Sequence, residues 1–204
     1  MGCFPGQASV LLENGKRVAM AELRAGDRVQ SVDKQGNIVF SPIMLFLDYR
    51  PKVTLDFVLI ETEAPQRKQV ITGPHLIYQL NKQPRRESVV FAQDCQVGGY
   101  VYITNSTNSK RLTACRVTRV TRKTNIGVYA PLTEQGNVFV DGILCSCYAI
   151  VDHELAHWSF FPIRFMVNSL PSLMKWVDNT TEGIHWYAKF LQKIYPIWLY
   201  GKLF

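Results

Sequence analysis

Short runs of alternating apolar and polar residues fill most of the first 150 positions of this chain. The runs are rich in Val, Ile, Thr and Tyr and are separated by turn residues, a pattern typical of β-strands. Runs at 8–13 and 16–20 flank Asn14-Gly15, which predicts a tight hairpin. We expect further strands at 30–32, 37–40, 42–48, 55–62, 68–72, 75–79, 88–91, 100–104, 112–122, 126–129, 137–140 and 144–151.

A faint internal repeat lies within this β-rich part. Leu23-Arg24-Ala25-Gly26-Asp27-Arg28-Val29 shares its apolar and glycine positions with Cys95-Gln96-Val97-Gly98-Gly99-Tyr100-Val101. A strand, a polar turn and another strand follow each copy. The repeat predicts a duplicated, pseudo-twofold all-β body over residues 3–151.

The pattern changes after residue 151. Two segments have helical character, 154–176, which Pro162 and Pro171 interrupt, and 184–195. All four tryptophans lie in this part, and residues 195–204 are densely aromatic. We expect a second unit, a helical appendage over 152–204, which either packs against the β body or offers an apolar surface to lipid or membrane; the aromatic tail favours the lipid interpretation.

Composition and charge exclude several classes of protein. With 47% hydrophobic and 19% charged residues, the chain can bury a core and is not of the disordered class. The 23 Lys and Arg exceed the 16 Asp and Glu, but they lie in turns or alternate along 116–122. A solvated strand face is the simplest interpretation and an anionic membrane surface is the next. Nucleic-acid binding is not expected, because no compact basic patch is interleaved with aromatic residues.

The candidate chemistry begins at Cys3, directly behind Gly2. Its thiol can reach the Gly2 carbonyl through a five-membered ring, and such proximity lowers a barrier by about 7–11 kcal/mol when it is well oriented. Thr72-Gly73-Pro74-His75 contains the only histidine among the first 152 residues. His75 can donate a proton to the departing nitrogen of Cys3, and Thr72 can hold the scissile peptide.

Asp48 follows the apolar run 43–47 and has two interpretations. An acidic residue after a buried strand commonly ends that strand. Alternatively, burial would increase its basicity and make it a general base.

A second candidate site is the zinc-protease signature H-E-x-x-H, present as His153-Glu154-Leu155-Ala156-His157. On a helix both histidines would bind zinc, Glu154 would act as the base, and Glu182 would be a third ligand. However, the segment begins where a strand ends, and Pro162 soon interrupts the helix. The alternative is a pair of histidines that cap and pack. The five cysteines at 3, 95, 115, 145 and 147 form no C-x-x-C zinc pattern, and their odd number leaves at least one thiol outside any disulfide.

Seven motifs occur in order along the chain: Gly2-Cys3-Phe4-Pro5-Gly6, Leu23-x-x-Gly26-Asp27-Arg28-Val29, Leu45-Phe46-Leu47-Asp48, Thr72-x-x-His75-Leu76, Tyr129-Ala130-Pro131-Leu132-Thr133-x-x-Gly136, Ser146-Cys147-Tyr148-Ala149 and Gly183-Ile184-His185-Trp186-Tyr187. Together they resemble the C-terminal autoprocessing domain of Hedgehog proteins. The resemblance implies a Hint (Hedgehog/intein) fold over residues 3–151, followed by a sterol-recognition region over 152–204.

The resemblance also implies roles for individual residues. Cys3 would be the nucleophile of an N-to-S acyl shift that cleaves the Gly2–Cys3 bond, and Thr72 and His75 would assist it. Asp48 would be the general base for the 3β-hydroxyl of cholesterol, which attacks the thioester. Cys147 would have a supportive or redox-linked role near the catalytic cysteine.

The implied partners are an upstream signalling domain in cis and cholesterol or a related sterol, which is a second substrate and not a cofactor; no cofactor and no metal are expected. Residues 152–204 would associate with a membrane, and processing would occur in the endoplasmic reticulum, with the C-terminal product secreted or degraded. The H-E-x-x-H is a departure from the family pattern, and so is Cys145. Two alternatives stay open: a sterol- or membrane-binding module with vestigial catalytic residues, and the zinc metalloprotease.

Overall fold

The computed structural model describes residues 2–82, 85–104, 112–148, 182–186 and 189, and only the backbone of 81, 82 and 85–87. Within these residues the chain forms twelve strands and two short 3₁₀ helices, Met20–Glu22 and Ala92–Asp94. The strands are β1 (Ser9–Leu11), β2 (Arg17–Ala19), β3 (Arg28–Val32), β4 (Ile38–Thr62), β5 (Lys68–Ile71), β6 (Leu76–Lys82), β7 (Arg85–Phe91), β8 (Tyr100–Ile103), β9 (Thr113–Thr133), β10 (Asn137–Val140), β11 (Ile143–Ser146) and β12 (Gly183–Ile184). The predicted all-β class is confirmed.

Two long strands organise the fold. β4 and β9 pair antiparallel from Ile43 opposite Thr133 to Thr62 opposite Val117, with several register shifts on the way. β3, β5 and β12 pair with other parts of β4, while β8 pairs with β9 and leads on to β6, β7, β11 and β10. β1 and β2 form a separate hairpin around Asn14-Gly15, as the sequence predicts.

The duplication is visible in the hydrogen bonds of the two copies. Each copy begins with a 3₁₀ helix and continues through a turn into a strand, β3 or β8. The N–H of Gly26 donates to the carbonyl of Ile43 over 2.8 Å, and the N–H of Gly98 donates to that of Val117 over 2.8 Å. The φ angles of the two glycines are 92° and 90°. A repeat that is faint in sequence is therefore retained in backbone geometry.

The hydrophobic core takes side chains from both copies and from the N-terminus. Its fully buried members include Val10, Met20, Val29, Ile43, Leu45, Ile60, Ile71, Ile77, Val101, Ile103, Val117, Val128, Leu132 and Val138. Cys3 and Phe4 belong to the same cluster. Cys3 and Phe4 are thus enclosed by the β body.

Two predicted strand ends are wrong. β4 does not stop at Asp48 but continues to Thr62, and the runs 112–122 and 126–129 are parts of β9. Beyond Asp48, β4 pairs with β9 again at Arg50 opposite Val128 and from Thr54 opposite Ile126 onward, so backbone hydrogen bonds to β9 carry the strand past the acidic residue. Asp48 is consequently an interior residue of a strand and not its end.

Only a short part of the predicted second unit lies within the described residues. β12 pairs with β4, with Gly183 opposite Tyr49 and Ile184 opposite Asp48. The N–H of Lys189 donates to the carbonyl of His185 over 3.0 Å. The domain boundary at 151/152, the predicted helix 154–176 and most of the predicted helix 184–195 lie outside the described residues; Ile184, the first residue of the second helix prediction, lies in β12. Among the described residues, no helix is both long and apolar enough to span a bilayer.

The approach of the N-terminal segment to β9 predicts an intolerance at Gly127. Its φ is +90°, and a Cβ there would lie 2.7 Å from Cε2 of Tyr129 and 3.0 Å from the nitrogen of Gly6. Gly127→Ala should lower the free energy of unfolding by about 1–3 kcal/mol more than Gly36→Ala, whose φ is +83° with no neighbour within 4 Å. Denaturant unfolding measures both, and equal losses would contradict the steric argument.

Candidate active site

The N-terminal segment lies beside β9 like an additional strand. The N–H of Phe4 donates to the carbonyl of Tyr129 over 2.8 Å, and the N–H of Tyr129 donates back to Phe4 over 3.0 Å. The Phe4 side chain is fully buried, and Cys3 is only 1% exposed. These bonds fix the segment that carries Cys3 inside the core.

Thr72 brackets Cys3 with two hydrogen bonds. Its backbone N–H donates to the carbonyl of Cys3 over 3.0 Å, and its Oγ1 accepts the N–H of Cys3 over 2.8 Å. That N–H belongs to the Gly2–Cys3 peptide bond. Thr72 therefore contacts the nitrogen that an acyl shift from Gly2 would release.

His75 is buried in the same place. Its ring packs against Phe4 with 4.6 Å between ring centroids, and Nε2–H donates to the carbonyl of Ser146 over 2.6 Å. The carbonyl can only accept, so Nε2 carries the ring proton. Nδ1 is buried and has no hydrogen-bond partner among the described residues, which makes it the ring position available for proton transfer.

A bulge in β4 brings Asp48 to Cys3. The register shifts between the pair Phe46–Pro131 and the pair Asp48–Ala130, and such a shift re-aims the side chains beside it. Asp48 is fully buried. The thiol of Cys3 donates a weak hydrogen bond to Oδ2 of Asp48 over 3.8 Å. The carboxylate is thus placed to receive the proton of the thiol.

Arg50 binds the other side of this carboxylate. Its Nε donates to Oδ1 of Asp48 over 2.9 Å, and its Nη2 donates to Oδ2 over 2.7 Å. The residue was not among the candidates that sequence reasoning found. Its signal was present, because residues i and i+2 of a strand point to the same face.

Burial keeps the thiol and the imidazole uncharged. Burial first, and the Asp48 carboxylate second, raise the pKa of the Cys3 thiol well above its usual range. Burial also lowers the pKa of His75 to about 4, against the hydrogen bond to Ser146, which raises it. Both groups are therefore uncharged before the reaction. The reaction requires that the Cys3 thiol lose a proton and that His75 gain one.

Cys147 lies on the adjoining segment, directly after Ser146. Its thiol is 3.6 Å from Oγ1 of Thr133, and its N–H donates to the carbonyl of Gly136 over 2.9 Å. All five cysteines fall within the described residues and are present as thiols. A supportive role for Cys147 stays a prediction.

The residues of the zinc-protease signature, His153, Glu154 and His157, lie outside the described residues. Glu182 is described and exposed. Among the described residues, no group of three or more His, Cys, Asp or Glu could hold a metal ion. The zinc hypothesis is neither supported nor tested by this part of the chain.

Comparison with known protein families identifies the family of this chain. The Hint module family matches residues 1–199. This chain belongs to the Hint family. The resemblance inferred from the motifs is thereby confirmed at the level of the family.

Relatives of this Hint module include hedgehog proteins. It is 34% identical over 196 residues to the Tiggy-winkle hedgehog protein of Danio rerio, covering 93% of this chain and 47% of that protein. It is 35% identical over 231 residues to the Sonic hedgehog protein of Xenopus laevis, covering 95% and 51%. The chain spans about half the length of the curated relatives it matches.

Solved structures of inteins share its fold. A DnaB intein from Synechocystis sp. PCC 6803 has a TM-score of 0.59 at 11% identity, covering 74% of this chain and all of that one. A KlbA intein precursor from Methanococcus jannaschii has a TM-score of 0.60 at 16% identity, covering 73% and 92%. At such identities the likeness shows the Hint fold of the β body.

The neutral burial of His75 predicts a pH dependence of stability. The unfolded imidazole takes up a proton below pH about 6.5, whereas the folded one resists protonation until about 4. The unfolded state then binds more protons, so stability falls as the pH falls through this window, by about 3 kcal/mol in total.

His75→Gln should lack this dependence. Denaturant unfolding of both proteins from pH 7 to 4 measures it, and the subtraction cancels groups that they share, such as Asp141, whose pKa burial raises. Parallel stability curves for the two proteins would show that His75 is not the buried neutral group.

Proposed function

We propose that this Hint module cleaves the peptide bond between Gly2 and Cys3 by an N-to-S acyl shift. The observation that carries the proposal is the pair of contacts on Cys3: Oγ1 of Thr72 accepts a hydrogen bond from its backbone N–H, and Oδ2 of Asp48 accepts a weak hydrogen bond from its thiol. Cys3 is thus held by hydrogen bonds at its sulfur, which is the attacking atom, and at its backbone nitrogen, which is the leaving atom.

The first step begins at sulfur. The thiol proton passes to Asp48, and Sγ of Cys3 attacks the carbonyl carbon of Gly2 through a five-membered ring. A carbon–sulfur bond forms, the carbon–nitrogen bond breaks, and the nitrogen of Cys3 takes up a proton to leave as an amine.

His75 is the proposed proton donor for that nitrogen. Nδ1 must first gain a proton from solvent, and burial makes this unfavourable, since the pKa of the ring is about 4. The same burial makes the protonated ring a strong acid. General acid catalysis of this kind contributes about 10²–10⁴-fold to a rate.

The second step transfers the acyl group to an alcohol. After the first step Asp48 carries the thiol proton and must release it to solvent, which balances the proton that His75 took up and gave to the Cys3 nitrogen. The ionised carboxylate, no longer hydrogen-bonded to a thiol, can then accept the hydroxyl proton of the incoming nucleophile. The hydroxyl oxygen bonds to the carbon of Gly2, the carbon–sulfur bond breaks, and Cys3 regains its proton. The hedgehog relatives support cholesterol or a related sterol as this alcohol, without a cofactor.

The C-terminal region is the proposed sterol-recognition region. β12 pairs with β4 at Asp48 itself, the N–H of His185 donates to the carbonyl of Leu47 over 2.9 Å, and the neighbouring Trp186 is 56% exposed. These contacts support a region that delivers its ligand to the base of the second step. Membrane association of residues 152–204, processing in the secretory pathway and an upstream signalling domain belong to the same proposal.

A fusion with a reporter protein upstream of Gly2 tests the cleavage. Dithiothreitol or hydroxylamine should split it between Gly2 and Cys3, because both attack thioesters far faster than amides. Cys3→Ala should abolish the splitting and Cys3→Ser should slow it severely. The control Cys115→Ala, at another buried thiol, should split at the rate of the unchanged fusion. Mass spectrometry of the products measures the cleavage point.

Three results would reject the proposal. Splitting that persists in Cys3→Ala would exclude the acyl shift. No splitting in the unchanged fusion, combined with sterol binding, would favour a binding module with vestigial catalytic residues. Loss of splitting on chelation, restored by zinc, would instead favour the metalloprotease.

The pairing of β12 predicts a separation of the two steps. His185→Pro removes the N–H that donates to Leu47, whereas His185→Ala keeps it. The proline variant should lose sterol-driven transfer by about tenfold or more relative to the alanine variant, which corresponds to about 1.4 kcal/mol. Both should retain dithiothreitol cleavage, and equal transfer by the two variants would exclude a role for this strand pairing.

A further inference from the structure

The ion pair at Asp48 differs from the other pairs among the described residues. Its carboxylate is completely buried, while the Arg50 side chain is 35% exposed. By comparison, the pair of Arg28 and Glu13 has both side chains about half exposed, at 47% and 53%. Burying a charged carboxylate is costly, so the complete burial of Asp48 in this ion pair needs a physical explanation.

A buried carboxylate stays ionised only if its charge is compensated. Removing it from water is costly, and it protonates unless a cation or several hydrogen bonds hold the charged form. Arg50 provides both, through two parallel N–H···O bonds of 2.9 and 2.7 Å. A guanidinium fork of this kind also fixes the plane of the carboxylate, which a single point charge does not.

The fixed plane determines which oxygen faces Cys3. Oδ2 of Asp48 accepts both Nη2 of Arg50 and the thiol of Cys3, whereas Oδ1 accepts Nε of Arg50. A rotation of the carboxylate would break the fork and the thiol contact together. The orientation of the proposed base is therefore tied to Arg50.

We propose that Arg50 is a positioning residue of the reaction, which keeps Asp48 ionised and holds Oδ2 toward the sulfur of Cys3. The inference rests on the proposed autoprocessing function and extends it to a residue that makes no contact with the reacting bond in that scheme. Arg50 acts mainly through Asp48, and its positive charge also lowers the pKa of the Cys3 thiol, against the larger effect of burial.

Among the described residues, Arg50 is the cation that contacts the Asp48 carboxylate. The neighbouring strands place uncharged residues opposite Asp48. Directly opposite Asp48 are Ala130 on β9 and Ile184 on β12, neither of which titrates. The adjacent titratable groups on those two elements are Tyr129 and His185. Together with the Cys3 thiol, these are the groups that a pH dependence must be compared against.

The reporter fusion with the full chain provides the kinetic test. Hydroxylamine cleavage is measured between pH 5 and 9 for Arg50→Gln, Arg50→Lys and the control Arg28→Gln, which removes a cation from an exposed pair elsewhere. The pH dependence of hydroxylamine itself is common to all variants and cancels in the comparison.

Arg50→Gln should cleave about tenfold to a hundredfold more slowly, and the acid limb of its rate profile should move to higher pH, because a carboxylate without its cation holds a proton longer. Arg50→Lys should keep the acid limb near that of the unchanged protein but cleave more slowly, since one ammonium cannot grip both oxygens. Arg28→Gln should match the unchanged protein.

An unmoved acid limb in Arg50→Gln would overturn the claim that Arg50 keeps Asp48 ionised. Full activity of Arg50→Lys at every pH would overturn the claim that the fork orients Asp48. A loss in Arg50→Gln that Arg50→Lys does not relieve, with no change in the acid limb of either, would reduce Arg50 to a packing residue.

A thermal-unfolding cycle completes the test without turnover. Arg50→Gln leaves a buried charge uncompensated, so its Tm should fall, and adding Asp48→Asn should recover part of the loss because the charge itself is removed. Independent, additive effects would overturn the proposal even if cleavage occurs. Strong coupling in a protein that no nucleophile cleaves would show instead that the proposed function fails while the ion pair is real.

Discussion

The antiparallel ladder between β4 and β9 is the interaction on which the rest of the structure depends. Through it the two copies of the duplicated unit share one core, and its register sets the position of Asp48 opposite Ala130. β9 also supplies Tyr129, whose backbone holds Phe4. A shift of this ladder by one residue would turn Asp48 away from Cys3, because side chains alternate between the faces of a strand.

Burial defines the hydrogen-bond geometry of the site and keeps Cys3 and His75 uncharged before the reaction. In a dry environment each hydrogen bond on the scissile peptide is strong and geometrically defined. The same dryness raises the pKa of the Cys3 thiol and lowers that of His75, so neither group is charged at rest. The Asp48 carboxylate is fully buried and forms an ion pair with Arg50. It also accepts a hydrogen bond from the sulfur of Cys3. Such an arrangement suits the proposed self-cleavage, in which the scissile bond belongs to the same chain.

The C-terminal strand β12 links the β body to the region that follows it. Its two residues lie against the part of β4 that carries Asp48, not against a distant edge of the sheet. The proposed acceptor region and the proposed base are therefore adjacent in space although they are far apart in sequence. This adjacency provides a physical basis for coupling between ligand recognition and the second chemical step.

The sequence by itself determined the all-β class, the duplication and the identity of Cys3, Thr72, His75 and Asp48 as candidates, because alternation, turn residues and short motifs are local properties of a chain. It could not determine that β4 runs past Asp48, since that depends on hydrogen bonds from a strand far along the chain. Nor could it place the carbonyl of Ser146 on His75 or the fork of Arg50 on Asp48. A backbone acceptor carries no residue-type signal, and the bulge that re-aims Asp48 exists only once both strands are paired. Tertiary structure alone therefore decided which of these groups meet, and in which state of protonation.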